Sequence, residues 1–303
     1  MELVSRDDRD QKVADVRIHG LEFTIKEIAS IARQIKESRR HKHAESYDID
    51  DYGENGIRIV VTYLEIEPLK TRALQYSEKK VDIIIEKLPT HLGIRFTNND
   101  KGVLLSQAIR STLVSSSKVS VTSQEISLVG IQDAAKRTLF FSTLMSGISG
   151  HKIKDVSEIK LQKIKTEDIR QDGDKDAEAK EEKNKTEAEA EVKKCLLKGN
   201  GIIRTILYQE LTTKGFFISS AKWIASPDDD SKYSSIEFLA EFTNGEEGSG
   251  FRYKVGATAQ DNPSDEKPVR LSALDRQEIN SLLEEAAFKS IAQFEEEAGG
   301  ENE

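Results

Sequence analysis

The chain has 303 residues, 37% of them apolar and 33% charged, with a formal net charge of −9. That length accommodates two domains of ordinary size, while the modest apolar share argues against one large continuous core, and the acidic balance opposes nucleic acid and anionic lipid. The single cysteine, Cys195, excludes an internal disulfide framework and a cysteine-built zinc site.

No segment approaches the roughly 20 apolar residues needed to cross a bilayer. The polar opening Met1–Asp10 lacks the apolar run of a secretory signal, so a cytoplasmic protein is expected. Residues 1–12 offer nothing to bury and read as disordered. Val13–Ile18 reads as a short strand. Thr24 and Glu27 form a capping-box pattern, and Ile25, Ile28, Ile31 and Ile35 line one face of a helix ending near Arg40.

Gly56–Glu67 alternates as a strand closed by Pro68. Leu69–Leu88 is expected to be a long helix, with Leu74, Val81, Ile84, Ile85 and Leu88 in register, stopped by Pro89. Leu92, Ile94 and Phe96 form a short strand, followed by a helix over Val103–Leu113 and an extended stretch through Ile126 and Leu128. A helix from Gln132 then passes through Gly147 and Gly150 into a strand reaching about residue 164, which completes an N-terminal lobe over 13–164.

Residues 165–194 are almost entirely Glu, Asp, Lys and Ala, which reads as a charged, disordered linker. Beyond it the helix–glycine–strand grammar returns: Arg204, Thr205, Ile206, Leu207 and Leu211 echo Arg137, Thr138, Leu139, Phe140 and Leu144, and Gly215 stands where Gly150 stood. Asn200 is placed to cap that second helix. Three antiparallel strands (Gly215–Ala225, Ser234–Thr243 and Gly250–Ala259) and a final amphipathic helix complete a C-terminal lobe over 195–297, with a disordered tail over 298–303. That helix either covers the sheet or pairs with a second subunit as a coiled coil. The fold class is therefore α+β, two mixed α/β lobes with antiparallel sheets packed on helices.

Chemistry-bearing constellations are sparse. The five histidines match no metal spacing, and neither metal nor cofactor is expected. His151, Asp155 and Glu158 sketch a hydrolytic set, but the first two would lie about 13 Å apart on a strand. Lys36, Arg39, Arg40 and Lys42, in the basic cluster Lys36–His43, are candidate phosphate contacts. Trp223, the only tryptophan, together with Ile291 and Phe294 on the last helix, are candidate partner contacts, with core packing as the competing role.

Gly150-His-Lys-Ile153-Lys-Asp-Val156-Ser-Glu-Ile159, preceded by a helix beginning Ile131-Gln-Asp-Ala-Ala-Lys, resembles the end of SIMPL-type domains. The resemblance covers about residues 56–161, where strand 56–67, helix 69–88 and Asp100-Lys-Gly-Val-Leu-Leu follow the family's strand, helix and second helix. It implies a mixed α/β domain of non-enzymatic character and carries no functional residue over. The expected function is that of a non-catalytic protein-binding or self-assembling scaffold. Nucleic-acid binding through the basic cluster, and an enzyme with a site between lobes, are the alternatives.

Overall fold

The computed structural model describes residues 11–20, 23–39, 45–66, 76–117, 119–163, 194–228, 231–260 and 266–300. Over these the fold is α+β, with five α-helices and twelve strands in antiparallel ladders. Two compact units emerge, Met1–Ser127 with Gly250–Lys254, and Leu128–Ser249 with Val255–Glu303.

The first unit contains β1 (Val13–His19), α1 (Ile25–Arg39), β2 (Ser46–Tyr52), β3 (Gly56–Ile66), β4 (Tyr76–Lys87), β5 (Leu92–Thr97), α2 (Asp100–Ser116) and β6 (Thr122–Glu125). Its strands run in the order β2-β3-β4-β5-β1, and the far side of β1 meets β6 along Val16–His19 and Tyr253 at Val13. The expected capping box opens α1: the Thr24 amide donates to Glu27 Oε2 at 2.7 Å, and the Glu27 amide donates back to Thr24 Oγ1 at 3.3 Å. The Thr24 amide first, and then the Thr24 hydroxyl, which donates to Glu27 Oε2 at 2.8 Å, hold the Glu27 carboxyl below its ordinary pKa. Ile28, Ile31 and Ile35 of α1, with Leu105, Ile109 and Leu113 of α2, bury one face of the sheet. The opposite face carries charge, including a bidentate Arg58–Asp82 pair with bonds of 2.6 to 3.1 Å.

The helix expected over Leu69–Leu88 is corrected. Tyr76–Lys87 is strand β4, and residues 67–75 lie outside the described residues. Four β-branched residues among Val81, Ile83, Ile84 and Ile85 disfavour helix, and β3 supplies a partner in register, with Ile57↔Ile85, Ile59↔Ile83 and Val61↔Val81. Period two therefore wins: Val81, Ile83 and Ile85 are buried and Ile84 lies on the other face. The order of elements between 56 and 113 thus departs from the one the SIMPL-type resemblance implied.

The second unit contains α3 (Ala134–Ser146), β7 (His151–Lys163), β8 (Lys194–Lys198), a 3₁₀ turn (Ile202–Arg204), α4 (Ile206–Thr213), β9 (Phe216–Pro227), β10 (Ser235–Asn244), β11 (Ser249–Gln260), β12 (Glu266–Val269) and α5 (Ala273–Gly300). Strand β11 gives residues 250–254 to the first unit and the rest to the second. The ladder runs β8-β7-β9-β10-β11, with β12 beside β11.

The expected lobe boundary at the charged stretch is also corrected. Residues 128–163 belong with the second unit because β7 pairs with β9 from His151↔Pro227 to Lys163↔Phe216, across the charged stretch in sequence. Both helix–glycine–strand modules therefore lie in one unit, with Gly150 at φ 70° and Gly215 at φ 82° turning each helix into its strand. Of the segments expected to be disordered (1–12, 165–194 and 298–303), residues 1–10, 165–193 and 301–303 lie outside the described residues; residues 11 and 12 lead into β1, Lys194 opens β8 and residues 298–300 extend α5.

Candidate functional site

Strand β7 does not alternate cleanly. Val156 and Ile159 are three residues apart, yet their partners Trp223 and Ala221 are two apart, because a bulge adds a residue to β7 between Val156 and Glu158. The bulge turns Val156, Ile159 and Leu161 inward together. On the other side of β7, β8 pairs Leu197 with Ile159 and Cys195 with Leu161. Since β8 and β9 are both antiparallel to β7, they run parallel to each other, and residues 199–215 must cross a face of β7 to join them.

That crossing segment leaves three large apolar side chains exposed within five residues. The Gly201 amide donates to Asp155 Oδ1 at 2.8 Å, pinning the start of the crossing to β7. Thr205, in extended conformation, caps α4 by accepting from the Tyr208 amide at 3.2 Å. This corrects the expected cap at Asn200: the 3₁₀ turn over 202–204 intervenes. Ile202 and Tyr208 point inward and are buried, and burial pushes the Tyr208 phenol pKa up. The outer side presents Ile203, Ile206 at 74% exposure and Leu207 at 51%. Arg204 and Glu210, three residues to either side of Leu207, are both exposed.

The residues singled out from sequence occupy other places. Trp223 is fully buried, its ring stacked on Phe238 with centroids 5.2 Å apart, and its indole N–H has no hydrogen-bond partner among the described residues. Ile291 and Phe294 are buried along α5. All three are core side chains, because strand alternation and the helix stripe turn them inward, so they present no contact surface on this chain. Lys36 donates to the Tyr47 carbonyl at 2.9 Å and ties α1 to β2. Arg39 ends α1, and Arg40 and Lys42 lie outside the described residues.

The hydrolytic set does not converge. His151 Nδ1 lies 2.9 Å from the Ser149 carbonyl, Asp155 holds the Gly201 amide, and Glu158 pairs with Lys198 at 3.0 Å. On the outer sheet face, Lys222–Glu237 at 2.8 Å and Lys160–Glu241 at 3.4 Å add further pairs, so opposite charges largely cancel there. His19 and His91, far apart in sequence, stand with ring centroids 5.5 Å apart, a proximity set by the β1–β5 pairing that no local spacing signals.

A second constellation surrounds the start of α5. Asp275 Oδ2 accepts from Lys232 Nζ at 2.7 Å, from Tyr233 at 2.7 Å and from the Ser272 hydroxyl, and the Asp275 amide returns a bond to Ser272 Oγ at 3.2 Å. These donors, Lys232 foremost, hold the Asp275 carboxyl far below its usual range. A carboxylate so stabilised is a poor base, and it already occupies the helix end where an anion would otherwise bind. The cluster caps α5 and fastens it to the approach to β10.

No protein-family model matches the chain, and no curated protein matches it either. Among the described residues, no helix is long and apolar enough to cross a membrane. The crossing segment over 202–211 presents an apolar strip with a cation at one flank and an anion at the other.

Proposed function

We propose that the chain is a non-catalytic, self-assembling protein whose copies meet through the crossing segment over Ile203–Glu210. The observation that carries this reading is the exposure of Ile206 and Leu207 on a helix whose inner side is already buried. Apolar side chains left in water at adjacent positions gain by mutual burial, at about 25 cal/mol per Å² removed from solvent. The flanking charges favour a second copy as the occupant. A two-fold axis near Leu207 brings Arg204 of each copy toward Glu210 of the other, so one patch complements itself.

A non-enzymatic role also agrees with what the SIMPL-type resemblance implies, although strand β4 stands where that family's first helix was expected. The lone Cys195 fits a reducing, cytoplasmic setting. Light scattering across a concentration series tests the proposal. The wild type is expected to approach twice the chain mass, and Leu207→Glu to stay monomeric at every concentration with an unchanged circular dichroism spectrum. A monomeric wild type, or a Leu207→Glu variant that still dimerises, overturns it.

A further inference from the structure

The first unit holds a feature independent of that assembly surface. Along β1, the partner strand changes: Tyr253 faces Val13, whereas β6 faces Val16–His19, from Val16↔Glu125 to His19↔Thr122. The two partners part beside Ala14 and Asp15, and α2 passes over the gap, contributing Val103, Ser106, Gln107 and Arg110. The result is a pocket of about 120 Å³. Phe96, Phe251, Ile94 and Ile126 give it an apolar lining, and all four are otherwise buried. An apolar cavity of roughly this size accepts a single aromatic ring.

Asp15, Arg110 and Glu125 are the charged residues that line the pocket, and the last two are unequally exposed. The Arg110 side chain is 29% exposed and that of Glu125 is 53% exposed, so the cation is the inner of the two. Arg110 Nη1 pairs with Glu125 Oε1 and reaches Ser123 Oγ at 3.4 Å. Its Nε and Nη2 donors make no bond to a described residue. Ser106 turns its hydroxyl to the Val103 carbonyl at 2.9 Å and offers no competing donor. A guanidinium with two adjacent donors to spare at the rim of an aromatic-lined hollow has the geometry that binds a carboxylate side-on.

We infer that this fork between β6 and the 250–254 stretch is a binding site for a small aromatic monocarboxylate, its ring in the hollow and its carboxylate on Arg110. Glu125 acts as the resident carboxylate that the ligand displaces from full command of the guanidinium. The two rim residues therefore act in opposite senses. Removing Arg110 abolishes the anchor, and removing the charge of Glu125 frees it.

Benzoate is the probe, titrated into the ¹⁵N-labelled full chain and followed by amide shifts, with benzamide as its neutral counterpart. Saturable shifts are expected at Ala14, Ser106, Glu125 and Phe251, with benzamide much weaker. Arg110→Gln should weaken benzoate by about tenfold or more, the value of a charge-assisted hydrogen bond. Glu125→Gln should tighten it. The opposite signs separate ligand recognition from a general loss of fold, which would weaken both. Absence of saturable shifts at these residues, equal binding of benzamide, or weakening by Glu125→Gln overturns the inference. None of these outcomes depends on whether Leu207 mediates self-association.

Discussion

The Arg137 guanidinium lies 4.8 Å from the centroid of the Phe217 ring while donating to three backbone carbonyls, those of Ile131 at 2.6 Å, Glu246 at 2.5 Å and Glu247 at 3.2 Å. A single side chain on α3 thereby fastens the turn between β10 and β11. Arg137 is buried, and burial lowers its pKa, so these bonds offset the cost of removing the charge from water. Arg204, its counterpart in the second helix–glycine–strand module, is exposed. Similar sequence grammar thus serves a structural lock in one module and an outward-facing charge in the other.

Arg137→Met keeps the volume and leaves three carbonyls without their donor. It is expected to destabilise the second unit by about 3 kcal/mol. Arg137→Lys should recover less than half, because one ammonium cannot reproduce the planar fork. Urea unfolding followed by fluorescence reads this unit directly, since the only tryptophan is the buried Trp223. An unchanged midpoint for the methionine variant would remove Arg137 as a lock.

The strand assignment of 76–87 separates two neighbours that a helix would treat in the opposite way. Ile83 is fully buried between Ile59 and Phe96, whereas Ile84 sits between Arg58 and Arg95 on the other face. Ile83→Ala should cost about 2–5 kcal/mol and Ile84→Ala about 1 kcal/mol or less. Thermal melts by circular dichroism give the comparison. Equal losses would contradict the register.

Asp275 sets a pH dependence with a defined sign. Its folded pKa is depressed, first by Lys232 and then by Ser272 and Tyr233, so its contribution is complete above the unfolded value of about 4 and declines as pH falls below it. The melting temperature of the wild type should therefore exceed that of Asp275→Asn at pH 7 and pH 5, with the gap narrowing toward pH 3. Scanning fluorimetry on Trp223 measures it. A gap that widens on acidification would show that another group controls this helix start.

Local chemistry was legible in the sequence where the deciding atoms are close in the chain. The Thr24–Glu27 box, the Ser272–Asp275 start of α5 and the glycine turns at 150 and 215 all join residues within a few positions. Strand β4 was not, because the apolar run at 81–85 suits either period and only the facing residues 57–61 decide. The unit boundary failed for a related reason: the partner of β7 lies beyond the charged stretch. Trp223, Ile291 and Phe294 were drawn to the surface as possible contacts, yet the residues that are exposed had a sequence signal of their own. Ile202, Ile203, Ile206, Leu207, Tyr208 and Leu211 are more apolar residues than the inner side of two short turns can bury, so some had to face outward.

Charge exchange across the proposed two-fold contact tests the central claim most directly, by sedimentation velocity on Arg204→Glu, Glu210→Arg and the double variant. Each single change places like charges opposite each other twice, so both singles should shift the chain toward monomer, and the double variant should restore the dimer. If the double variant dissociates as far as either single, or none of the three differs from the wild type, the copies do not meet through Ile206 and Leu207.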